Sequence, residues 1–95
     1  MKSKSIISNR KECLVCHTTY NLHRHHIFYG RGNRKLSEKY GCWVYLCAEH
    51  HNMSDFGVHF YTAFDENLKA RCQMEWEKRY GSRENFIAVF GKSYL

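Results

Sequence analysis

From Thr62 to Tyr80 the apolar residues return every four positions, at Phe64, Leu68, Cys72, Trp76 and Tyr80. That spacing lays one slowly winding stripe along a helix, because 3.6 residues make a turn. Thr62 is a suitable cap, Asp65 favours the positive helix start, and Gly81 is a fitting stop. Cys72 lies within the stripe and is expected in the core. A second helix opens at Ser82, carries Phe86, Ile87 and Phe90 on one face, and ends at Gly91. Upstream the pattern changes. Residues 22–29 are β-prone around a run of histidines until Gly30 and Gly32 break them, and Trp43 to Leu46 is a second short β-prone run. The two predict an antiparallel pair. Residues 35–40 between them hold a helical turn, and Ala48 to Ser54 predicts a short helix ending before Gly57. The fold class expected is α+β, with two helices closing the chain.

Composition narrows the picture. Ninety-five residues predict one domain, and so small a core benefits from a metal or disulfide staple. A basic arm is expected over residues 1–12, either frayed or a short lead-in, where DNA contact is possible. The core spans 13–60, and a helical extension over 61–95 packs on it. No apolar run approaches the roughly 20 residues needed to span a bilayer, and no strongly basic amphipathic helix points to a membrane surface. The start of the chain is basic without the apolar stretch of a signal peptide. The expected compartment is therefore the reducing cytoplasm, where cysteines more often hold metal than form disulfides. The net charge of +6 makes nucleic acid the leading partner class.

Seven histidines and five cysteines, mostly within residues 13–59, carry the candidate chemistry. Cys13-x2-Cys16 sets two thiolates on one side of a tight turn, and Cys47-x2-His50 sets two more ligands on one side of a short helix. Together they make a Cys3His set for a structural zinc. His25 and His26 are adjacent, and on a strand adjacent side chains diverge. One imidazole can then hold a metal while its neighbour takes a proton from water near neutral pH. His51, beside the zinc ligand His50, is a second candidate ligand for that metal. These are the parts needed to hydrolyse a phosphodiester, with the metal stabilising charge on the phosphate and the leaving group.

The combination of Cys13-x2-Cys16, His25-His26-Ile27, a Gly-rich loop and Leu46-Cys47-x2-His50-His51-Asn52 resembles the HNH endonuclease family. The likeness covers roughly residues 13–59 and is nearest to small phage-type members. It implies a ββα-metal (His-Me finger) core stapled by zinc, and a metal-dependent nuclease nicking or cleaving double-stranded DNA. Products would carry 5′-phosphate and 3′-hydroxyl ends. By position, His26 matches the general base, while His25 and His51 match ligands of the catalytic metal. No asparagine lies in the segment before Cys47, so Asn33 is the substitute for the family residue that braces the loop. His59 is weighed as a further ligand or substrate contact. Arg24, Arg31, Arg34 and Lys35 are the expected phosphate contacts. The catalytic ion is Mg²⁺, Mn²⁺, Ni²⁺ or Zn²⁺, with histidines favouring the transition ions. A homodimer or a phage packaging partner is an association the family suggests.

Two other functions stay open. A non-catalytic zinc module binding DNA or protein accounts for the cysteines and the charge, though not for the histidine pairs. An inactive HNH-derived phage accessory protein accounts for the displaced asparagine.

Overall fold

The structure, a computed structural model, describes residues 4–30, 32–51 and 58–95, without the side chains of residues 58–61. It is a small α+β fold. The described elements run β1 (Leu22–His26), α1 (Asn33–Tyr40), β2 (Trp43–Cys47), α2 (Ala48–His51), α3 (Val58–Arg79) and α4 (Arg83–Phe90).

The two strands form the expected antiparallel pair, in a register that sets Leu22 against Cys47 and His26 against Trp43. The connection between them folds inward. Phe28, fully buried, lies with its ring centroid 4.6 Å from Phe90 and 5.3 Å from Phe86. α1 is two turns long, closed by Gly41 in the left-handed conformation, where a Cβ would strike the carbonyl oxygen of Lys4. The fully buried Ser37 hydroxyl accepts from the Phe28 N–H (3.1 Å) and donates to the Phe28 carbonyl (2.6 Å). It thus fixes the chain leaving β1 against α1. Replacing Ser37 with Ala strands two buried backbone groups, and urea unfolding should show a loss of about 2–4 kcal/mol.

α3 begins at Val58, one turn before the expected cap, so Thr62 is interior to the helix. Threonine caps well, but nothing obliges a helix to start at one. The stripe itself packs as the periodicity requires: Leu68, Cys72 and Trp76 are buried, Phe64 is partly so, and the exposed Tyr80 ring stacks edge-on against Tyr40. α4 is capped by Ser82, whose hydroxyl accepts from Asn85 N–H while the Asn85 side chain returns a bond to Ser82 N–H. Buried Gln73 accepts from the Tyr94 N–H at 2.7 Å and holds the end of the described chain on α3.

Residues 5–7 are docked on the core and are not a frayed arm. Ser5 is buried and donates to the Trp43 carbonyl, the Ile6 N–H donates to Gly41 O at 2.9 Å, and Ile6 and Ile7 pack on the core. Three adjacent residues are too few to show a period in sequence. No helix among the described residues is long and apolar enough to cross a membrane.

Candidate functional site

The Cys13–Cys16 turn lies along the edge of β2, held by the Leu14 N–H donating to Tyr45 O and by His17 in the left-handed conformation. Across from it, β2 ends at Cys47 and α2 carries His50. The three thiols and the imidazole bring their ligand atoms within 4.8 Å of one another. Cys47 Sγ lies 3.2 Å and Cys13 Sγ 3.7 Å from His50 Nδ1, and Cys16 Sγ lies 3.8 Å from Cys47 Sγ. A tetrahedral zinc with bonds of about 2.0–2.3 Å separates its ligand atoms by about 3.4–3.8 Å, so the set fits such an ion. Burial raises the Cys13 thiol, but backbone N–H groups of Cys16, Cys47 and Val15 outweigh it and bring it down to about 6. The cluster therefore presents a thiolate readily near neutral pH.

The strand alternation sorts the other histidines. His23 and His25 share one face of β1 and meet His51 of α2, with ring centroids 5.1 Å and 5.5 Å away. Arg24 and His26 share the opposite face and meet Glu38 of α1. His26 Nε2 lies 2.8 Å from Glu38 Oε2, and Arg24 pairs with the other carboxylate oxygen. A carboxylate only accepts, so His26 carries its proton on Nε2, leaving the Nδ1 lone pair outward. The Nδ1 neighbour is the Arg34 Nε–H, at a loose 3.5 Å. His25, His26, His51 and Arg34 all line one open cleft of about 390 Å³.

Burial, then the His51 ring, hold His25 down to about 4, and the same two kinds of effect, burial and neighbouring His23 and Arg34, lower His51. Both shifts favour the neutral imidazole. Because the unfolded chain takes up the His25 proton near pH 6.5 and the folded one only near 4, this contribution is complete above 6.5. It is lost as pH falls towards 4. Urea titrations of wild type and His25→Asn over that window should differ by up to about 3 kcal/mol. Behind His25, Asp65 forms a 2.8 Å ion pair with Lys69 and accepts from the Tyr29 hydroxyl at 3.2 Å. Asp65 thus serves this network and not a helix start.

Several expected residues are placed otherwise. Asn33 opens α1, and its side-chain amide donates to the Phe90 carbonyl at 3.1 Å, joining α1 to α4. It does not brace the loop next to His26; Ser37 holds that loop. Arg24 is committed to Glu38 and lies over the Trp43 ring at 3.7 Å, so its guanidinium is less available to phosphate than expected. Arg34 and Lys35 are exposed, and with His26 they border a shallow groove on the α1 side. Arg31 and the side chain of His59 lie outside the described residues. Glu38 and Ser37 were missed in sequence, where a charged and a polar residue in a helical turn look like surface. Comparisons of the chain with known protein families, with curated proteins and with solved structures find no match.

Proposed function

We propose that the chain is a metal-dependent endonuclease of the HNH, ββα-metal type, hydrolysing phosphodiester bonds of double-stranded DNA. The observation that carries this reading is the cleft itself. Two imidazoles from β1 and α2, a third imidazole with an outward lone pair, and a guanidinium face the same open volume. A module built only to bind needs no such convergence.

In this reading His26 Nδ1 takes a proton from water, whose oxygen attacks phosphorus while the bond to the 3′-oxygen breaks and that oxygen takes a proton from solvent. The products are a 5′-phosphate and a 3′-hydroxyl. Glu38 holds the imidazole in the required tautomer and stabilises the imidazolium that forms, as a carboxylate does for other catalytic histidines. Arg34 is placed to meet a phosphate oxygen once DNA displaces it from His26. His25 and His51 are the residues that would hold a divalent ion, which supplies charge neutralisation at the phosphate and the leaving oxygen. Two nitrogen donors favour Mn²⁺, Ni²⁺ or Zn²⁺ over Mg²⁺. One cleft attacks one strand, so a double-strand break calls for two copies of the chain or two successive nicks. The test is relaxation of supercoiled plasmid by zinc-loaded protein with each ion added in turn. Nicking that depends on the added ion supports the reading, and none under any ion contradicts it.

A further inference from the structure

On the other side of Arg24 from the histidine cleft lies a second groove, of about 440 Å³, between the N-terminal segment and β2. Lys4, Arg10, Lys11 and Arg24 line it, over Trp43 and Tyr45, and no carboxylate is among its lining residues. We infer that this groove is a track for the phosphate backbone of duplex DNA, continuing from the cleft past Arg24. The inference rests on the nuclease reading for its direction, but binding alone suffices to test it.

Three observations support it. First, the cations are carried on a docked segment. Ser5 anchors it to Trp43, its hydroxyl also accepts from the N–H groups of Ile7 and Ser8, and Ile6 is bonded to Gly41. Ordering that a loose arm would undergo on binding has already taken place. Second, the groove and the cleft are continuous, because Arg24 lines both. Arg24 stands two strand residues from His26, about 7 Å along β1. A backbone with one phosphate at His26 therefore passes Arg24, which stays paired with Glu38, towards Lys4, Arg10 and Lys11. Third, the Trp43 ring does not suit single strands, which need open faces for base stacking. Trp43 is only 6% exposed and is covered by Arg24. What remains on offer is positive charge, which reads backbone and not base. Arg10 has a partner, Glu12 at 3.6 Å, but its side chain is 82% exposed and can turn to a phosphate.

The test is anisotropy of a labelled 20-base-pair duplex with zinc-stoichiometric protein and no further divalent ion, titrated at several salt concentrations. The variant Lys4→Gln/Arg10→Gln/Lys11→Gln should lose about 10- to 100-fold in affinity at 0.1 M salt. Its salt slope should fall by about 2–3, equally for unrelated sequences. Unchanged affinity and slope overturn the inference, as does a loss confined to single strands or to anionic vesicles. If the triple variant lacks a melting transition, Lys4→Gln and Lys11→Gln singly carry the test, each expected to lower the slope by about 1. Duplex binding through this groove without cutting contradicts the nuclease reading and leaves the track standing. Cutting with binding unaltered does the reverse.

Discussion

Zinc-loaded protein treated with excess chelator should lose its cooperative melting transition. A structural zinc site contributes on the order of 10–16 kcal/mol of apparent free energy, as large as the whole stability of a small domain, about 5–15 kcal/mol. The Cys3His cluster ties the turn at Cys13–Cys16 to the end of β2 and to α2, which follows it directly. Without an ion, three thiols and an imidazole are left crowded together at an edge where backbone bonds run from Leu14 to Tyr45 and from Ala48 to Asn21. Cys47→Ser should therefore bind less than one equivalent of zinc and melt without a transition. Cys42→Ala should keep one equivalent, since Cys42 is buried outside the cluster. Metal analysis with circular dichroism checks both. A chelated protein that melts as before would show the ion to be dispensable.

The second large effect is expected at His26. Loss of a positioned general base lowers the chemical step by about 10²–10⁴-fold, or roughly 3–5 kcal/mol in the barrier. The fold should survive, because His26 is partly exposed and its side-chain hydrogen bonds go to Glu38 and Arg34 at the rim of the cleft. In His26→Ala, Glu38 keeps its pairing with Arg24, so no charge is stranded. Zinc content and duplex affinity should stay near wild type.

The parts legible in sequence were those with a local signal. Cys-x2-Cys and Cys-x2-His fix geometry within a single turn, and the four-residue stripe of α3 states its buried face directly. Two β-prone runs with glycines between them sufficed for the strand pair, and its register then placed His25 and His26 on opposite faces. What stayed hidden depends on how the connection between the strands folds. Ser37 reaches Phe28 and Glu38 reaches His26 only because α1 is laid back over β1, across nine and twelve positions. Asn33 was assigned by family position, yet its partner is 57 residues away on α4, a distance no spacing rule covers. The docking of residues 5–7 was hidden for a similar reason. Its anchors are a serine and two isoleucines whose partners lie on β2 and the core.

The most direct measurement is the single-turnover rate of plasmid nicking by zinc-loaded wild type and His26→Ala, side by side, with Mn²⁺ added. The account predicts ion-dependent nicking by the wild type and a rate about 10²–10⁴-fold lower in a variant with the same zinc content and melting temperature. Equal rates for the two proteins would contradict it, by placing the chemistry somewhere other than the histidine cleft.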